Sequence, residues 1–163
     1  MRAIILLLVI LTFSFAQEIE VQAIVKGKVL KVHVREGQRV KKGQLLMEID
    51  PSLYLAQKKR LLGKKKEIEA RLWKVERDYN RLKVLFERDL LAETRLEDQK
   101  IRYDTLKAQV EQVEGELDRV DTLISYTKIV SPVTGRVKRL LVREGSYVNG
   151  ELQPHPLVVI EVK

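Results

Sequence analysis

Two spacings of apolar residues divide this chain. Leu30, Val32 and Val34 alternate with Lys31, His33 and Arg35, the period-two pattern of a half-buried strand with its apolar members facing a core. Further on, Leu96, Gln99, Tyr103, Leu106, Val110, Val113, Leu117, Val120 and Ile124 follow one another at alternating steps of three and four, with only Gln99 polar. That rhythm predicts a helix with a coiled-coil seam. The segment before it places Leu61, Ile68, Leu72, Val75, Tyr79, Leu82 and Phe86 in the same rhythm, with Lys58 and Lys65 interrupting it. Its seam is expected to be well formed toward the middle and loose at the root. Asp50-Pro51 supplies an N-cap and a favoured first helical position, so the first helix is expected from Pro51 to about Arg88. The pattern breaks at Asp89–Ala92, where Asp89 tolerates a left-handed turn conformation. Two nearly equal arms joined by a short turn fold back antiparallel, each filling the other's seam.

The strand pattern occurs twice. G-K-V-L-K-V-H-V-R-E-G-Q-R-V from Gly27 is nearly repeated by G-R-V-K-R-L-L-V-R-E-G-S-Y-V from Gly135, pairing Val29 with Val137, Val32 with Leu140, Val34 with Val142 and Val40 with Val148. Each copy reads as a strand, a glycine turn and a short strand. Leu45–Ile49 closes the first half, Thr127–Val130 opens the second and Leu157–Val162 closes it, with Pro154 and Pro156 marking an exposed loop before that last strand. Two half-faces so far apart in sequence are expected to bury against one another. Val32, Val34, Leu140 and Val142 should then share a core, with the helices projecting from it as an insertion.

Charge and composition narrow the function. A third of the residues are charged and only 6% are aromatic, which suits one small core with a long helical element rather than an enzyme pocket. No catalytic constellation stands out, and an enzyme is not expected. With no cysteine, disulfides, thiol catalysis, cysteine-ligated zinc and a lipid anchor on cysteine are excluded. His33 and His155 lack ligand-spaced neighbours, so no metal and no cofactor is expected. The net charge of +8 and pI near 9.7 do not make a nucleic-acid binder without a matching fold signature. The basic belt Lys58-Lys59-Arg60 and Lys64-Lys65-Lys66 reads as a solvated face. Trp73 should flank the helix pair, and Gly63 and Gly115 fall off the seam. Residues 1–16 carry one charge, an apolar run and small Ser14 and Ala16 before Gln17, the pattern of a cleaved secretory signal and hence of a periplasmic or secreted chain.

A half-motif ending K-K-G-Q-L-L-M-E-I-D-P, then a heptad hairpin, then a second half beginning I-V-S-P-V-T-G-R-V, resembles the HlyD-type membrane fusion proteins, or periplasmic adaptors. The resemblance implies an α+β fold. A lipoyl-like (biotinyl-lipoyl) β-sandwich from residues 17–50 and 127–163 would carry an antiparallel coiled-coil α-hairpin from 51–126, its tip near 89–92. It also implies a ring of copies, six in the family, linking an inner-membrane transporter to a TolC-type outer-membrane channel in efflux or type I secretion. Typical members continue into β-barrel and membrane-proximal domains, whereas this sequence ends at Lys163 with few residues before Gly27, so a short, minimal form or half of a split adaptor is expected. TolC-docking members carry an arginine, a leucine four residues on and a serine or threonine seven beyond. Here Arg81 and Leu85 match, the third position is Ala92, and Thr94 follows two residues later. Docking is therefore expected at the tip through Arg81, Leu85, Leu90, Leu91 and Thr94.

Two other classes compete. A structural coiled-coil protein of the cell envelope would show the same helices. A lipoyl or biotin carrier would share the half-motifs but join them by a tight turn bearing a lysine, where this chain has Asp50-Pro51.

Overall fold

The computed structural model describes residues 17–162; the secretory-signal reading of residues 1–16 lies outside them. The elements run β1 Gln17–Ala23, β2 Lys26–Val32, β3 Arg39–Val40, β4 Leu45–Ile49, α1 Ser52–Phe86, α2 Glu93–Ser125, β5 Lys128–Val130, β6 Gly135–Leu140, β7 Tyr147–Asn149 and β8 His155–Val162. Two antiparallel sheets, ordered β5–β4–β2–β7 and β1–β8–β6–β3, pack face to face. The fold is the α+β class that the two spacings predict, a β-sandwich with an inserted helical hairpin.

The sequence repeat becomes a pseudo-twofold. Exchanging β1 with β5, β2 with β6, β3 with β7 and β4 with β8 turns one sheet order into the other, and each sheet takes strands from both halves. The turns are exchanged as well. Gly37 N–H donates to the Val137 carbonyl (2.7 Å), and its equivalent Gly145 N–H donates to that of Val29 (2.8 Å). Glu144 accepts from Val32 N–H (3.0 Å), and Glu36 accepts from Leu140 N–H (2.9 Å). The Arg-Glu-Gly runs of the two copies thus have equivalent places in space: each glutamate satisfies a backbone donor of the other half.

Between the sheets lie Val29, Val34, Val40, Leu46, Met47 and Ile49 from one half, and Val137, Val142, Val148, Leu157 and Ile160 from the other, all buried, with Val32 and Leu140 partly buried against them. Leu30 departs from the expected alternation and is 51% exposed. The cause is a β-bulge: Val29, Leu30 and Lys31 stand opposite only Ile49 and Glu48, which turns the extra residue outward. The second half has its own irregularity at the equivalent place, between Val137 and Arg139. Gly135 and Gly27 sit where backbones meet. A Cβ on Gly135 would lie 2.4 Å from the Glu161 carbonyl oxygen, and one on Gly27 would lie 2.8 Å from Ile49 Cγ2.

The sequence reading leaves Gln17–Ala23 without a strand. In the structure it is β1, paired along its length with β8, and the alternation of Ile19, Val21, Ala23 and Val25 gives the signal. Pro156 lies within β8 rather than in the preceding loop, opposite Gln22 where the β1–β8 register shifts.

Candidate partner-docking site

The hairpin leaves the sandwich where β4 meets β5. Ile49 N–H donates to the Thr127 carbonyl (2.8 Å), so the chain departs and returns at neighbouring points. The carboxylate of Asp50 accepts from Ser52 N–H (2.9 Å), satisfying one of the free donors at the start of α1. Tyr54, buried one turn later, accepts from Lys26 N–H (3.0 Å) and donates to Glu151 (2.9 Å), while Lys26 Nζ lies 2.7 Å from the other Glu151 oxygen. Hydrogen bonds from Lys26 and then Tyr54 hold the Glu151 carboxyl below its ordinary range. The Glu151 hydrogen bond and charge raise Lys26, and burial raises the Tyr54 phenol. This cluster joins α1 to the start of β2 and to the β7–β8 loop.

The seam is tight at the root and opens toward the tip, the reverse of the expectation. The buried helical residues are Tyr54, Leu61 and Ile68 on α1 and Val113, Leu117 and Val120 on α2, all in the half nearer the sandwich. Lys58 and Lys65 do not loosen it. They reach across its edge, Lys58 to Asp121 at 2.6 Å and Lys65 to Glu114 at 2.7 Å, and their stems cover the apolar residues beneath. The Glu114 hydrogen bond raises the Lys65 ammonium. Farther out the packing changes character: Tyr79 stacks on Tyr103 with ring centres 5.6 Å apart, and Gln99 donates to the Val75 carbonyl (3.2 Å).

The distal end is closed by backbone rather than by apolar burial. Asp89 has φ of 58°, the one positive φ at a non-glycine among the described residues. Leu90 N–H donates to the Leu85 carbonyl (3.0 Å) and Asp89 N–H to that of Phe86 (2.9 Å). These two bonds form a Schellman motif with Asp89 in the place glycine usually takes. The motif leaves Leu85 39%, Phe86 37% and Leu90 69% exposed.

Of the residues singled out from the sequence, Leu85 and Leu90 are brought together by that turn and are exposed. Leu91, expected at the docking tip, is half-buried rather than open. Arg81 lies one turn below Leu85 with its side chain largely in solvent, and among the described residues its only ion pair is a long one to Asp78 at 3.8 Å. Thr94 is exposed in the first turn of α2, on the other arm. Two features escaped the sequence reading. Phe86, assigned to the seam, is partly open. Trp73, 63% exposed under the guanidinium of Arg77 at 5.0 Å, begins a stripe that continues through Arg77, Arg81 and Val84 on α1. Steps of four and three between those residues are the signal that was available.

At Asp50-Pro51, where a carrier domain would present its lysine turn, β4 runs into α1. Among the described residues no group of His, Cys, Asp and Glu is arranged to hold a metal, and no helix is long and apolar enough to cross a membrane.

The profile of the RND MFP barrel-sandwich hybrid domain matches residues 17–161. Multidrug resistance protein MdtA of Yersinia pestis (strain Pestoides F) is 31% identical over 149 residues, which is 91% of this chain and 33% of that protein. MdtA of Pantoea ananatis (strain AJ13355) is 31% identical over 157 residues, covering 91% of this chain and 38% of the relative. The chain thus spans little more than a third of the length of these curated relatives. Among solved structures, MacA from Actinobacillus actinomycetemcomitans superposes with a TM-score of 0.75 at 28% identity, over 87% of this chain and 48% of that one. A putative efflux transporter from Bacteroides eggerthii DSM 20697 shares the fold, with a TM-score of 0.63 at 24% identity over 89% and 40% of the two chains.

Proposed function

This chain belongs to the RND membrane fusion protein family through its barrel-sandwich hybrid domain, and we propose that it is a periplasmic adaptor that helps connect an inner-membrane transporter to a TolC-type outer-membrane channel. On this reading residues 17–50 and 127–163 form the base, residues 51–126 form the reaching arm, and residues 1–16 direct export across the inner membrane. Efflux is favoured over secretion by the multidrug resistance relatives. The role is binding and alignment, without catalysis.

The observation that carries the proposal is the unequal burial of the hairpin. Helices of 35 and 33 residues project roughly 50 Å at 1.5 Å per residue, and they are sealed at the root but open at the far end. An arm held rigidly at its base and ending in uncovered Leu85, Phe86 and Leu90 is suited to meet another protein with its tip. Arg81 adds a poorly paired cation one turn below, available to a carboxylate or a helix C-terminus of the partner.

The test is substitution at the tip. Arg81→Glu, Leu85→Ser and Leu90→Ser should each abolish or strongly reduce export and retention of the channel on the affinity-tagged chain, with helicity and thermal midpoint close to the parent's. If Leu85→Ser melts the hairpin while Arg81→Glu leaves export and channel retention unchanged, the tip only fastens the two arms and docking there is refuted. Retention of a transporter with the tagged chain checks the other end of the proposal.

A further inference from the structure

The pseudo-twofold that relates the two halves also relates the root of the hairpin to a place at the opposite end of the sandwich. Carried on in step, the repeat sets Lys26 against Thr134, Lys28 against Arg136, Tyr147 against Arg39, Asn149 against Lys41 and Glu151 against Gly43. The strand pairing agrees, with Lys28 opposite Tyr147 in β2–β7 and Arg136 opposite Arg39 in β3–β6. At the root the place is filled: Tyr54 packs into it, and the Glu151 carboxylate neutralises Lys26. At the other end the position of that carboxylate is taken by Gly43. Gly43 N–H donates to the Ser131 carbonyl (2.7 Å) and Ser131 N–H to that of Gln44 (2.9 Å), which puts this end where β4 begins and β5 finishes, away from the hairpin.

A concavity of about 390 Å³ lies there, lined by Arg39, Lys41, Gln44, Thr134, Arg136 and Glu161, with Val40 and Gly135 between them. Arg39 and Lys41 flank the buried Val40 and so share the outward face, and Arg136 stands directly across from Arg39. Like charges placed directly opposite one another on a sheet repel. Glu161, the neighbour of Arg136 on β8, is the one carboxylate in the lining. Among the described residues no ion pair involves Arg39, Lys41, Arg136 or Glu161.

The hydrogen bonds already made at this end decide what it can still offer. Gln44 Oε1 accepts from Lys41 N–H (3.0 Å), and Thr134 Oγ1 accepts from Lys42 N–H (3.1 Å). The amide NH2 of Gln44 and the hydroxyl proton of Thr134 are therefore left to donate. Arg136 Nη1 donates to the Gly37 carbonyl (2.8 Å), which anchors the guanidinium and leaves its remaining N–H groups for another acceptor. Apart from Glu161 the concavity thus presents donors, with three cations against one carboxylate.

We propose that this end of the sandwich is a binding site for a phosphate group. Its acceptor oxygens match the donors, and a charge of about −2 on a phosphate monoester at neutral pH offsets the excess of cations and the repulsion between Arg39 and Arg136. Guanidinium groups suit phosphate because their N–H donors are paired and coplanar. The site stands without the adaptor reading. That reading turns this end toward the inner membrane, so the phosphate has two sources, a lipid headgroup and a soluble phosphate compound.

The test begins with the isotope-labelled full chain titrated with sodium phosphate at constant ionic strength. Amide resonances of residues 39–44 and 134–136 should shift and saturate, with no such response to chloride. Arg39→Gln and Arg136→Gln should each weaken binding about tenfold or more, as loss of a hydrogen bond to a charged group does, and Thr134→Val about fivefold. Lys64→Gln, which removes one charge from α1, should leave the affinity unchanged. Arg39→Gln keeps the anchor of Arg136 and removes a repelling charge, so its thermal midpoint without phosphate should be no lower than the parent's. Phosphate should raise the parent's midpoint and not the variant's.

Sedimentation with vesicles of phosphatidylcholine, alone or with phosphatidylglycerol added, separates the two sources. Binding that needs phosphatidylglycerol, fails in Arg39→Gln and is competed by sodium phosphate assigns the site to a lipid headgroup. Saturable phosphate shifts without vesicle binding assign it to a soluble ligand. Shifts spread along the lysines of α1, an affinity unchanged in Arg39→Gln and Arg136→Gln, or an equal response to chloride would overturn the inference.

Discussion

At the scale of single residues, the attachment of the arm rests on three side chains. Glu151 receives Lys26 and Tyr54 together, and its folded carboxyl titrates below its unfolded value. A depressed carboxyl contributes stability that is present above the unfolded pKa of about 4.3 and is lost as pH falls through the lower, folded value. Lys26 is raised, so its share is present below its unfolded pKa and lost only as pH rises through the folded value, above the ordinary lysine range. The cluster should therefore be intact across neutral pH and released by acid. Glu151→Gln should flatten part of the acid limb of the stability curve, measured by denaturant titration between about pH 2 and 6, while leaving the alkaline limb less changed. An unaltered acid limb would show that the cluster does not contribute to stability. None of this was legible in the sequence, because Lys26 at the start of β2, Tyr54 in α1 and Glu151 in the β7–β8 loop are brought together only by packing. Val29, Val34 and their partners in the second half were legible because the repeat and the alternation pointed to the same core. Leu30 was misread because a bulge shifts the phase of a strand without any marker residue.

At the scale of elements, the seam's two halves should behave differently. The apolar rhythm of α1 and α2 was plain in the sequence and correctly gave an antiparallel pair. It did not reveal where the pair is tight, because a lysine at a seam edge reads as an interruption until its partner on the other helix is seen. Leu61→Ala removes a fully buried side chain and should cost about 2–5 kcal/mol, whereas Leu82→Ala, in the half-open part, should cost less. Amide hydrogen exchange is expected to be slowest around Leu61, Ile68, Val113 and Leu117 and fastest beyond Leu82 and before Leu96. Uniform protection along both arms would contradict this gradient. The sites proposed for docking thus lie on the part of the hairpin whose local structure costs least to rearrange. In the sequence they were marked by resemblance and by the break at Asp89; the exposure of Phe86 and the stripe from Trp73 needed the orientation of the helices.

At the scale of the whole molecule, the strands of both halves pair directly with one another, so the sandwich has a core of its own, which runs on into the root of the hairpin through Tyr54, Leu61 and Val120. Joining Asp50 to Thr127 by a short glycine-asparagine turn, which keeps β5 and its buried Ile129, should leave a cooperatively unfolding, all-β domain. Circular dichroism without helix, together with dispersed amide resonances, would verify it. A molten or aggregated product would show that the hairpin is needed for the base to hold its structure.

The hairpin's close return also bears on how the chain folds. Val32 and Glu144 are 112 positions apart, and Leu140 and Glu36 are 104 apart, separations whose loop-closure entropy slows folding when contacts must be found by diffusion. An antiparallel helix pair can zip from its own turn through local contacts, each new seam layer drawing the next together. Once it reaches Leu61 and Val120, Ile49 and Thr127 are already neighbours, and the search that remains is that of a much shorter chain. The arm that reaches outward in the finished protein would then be, during folding, the element that carries the two halves to each other.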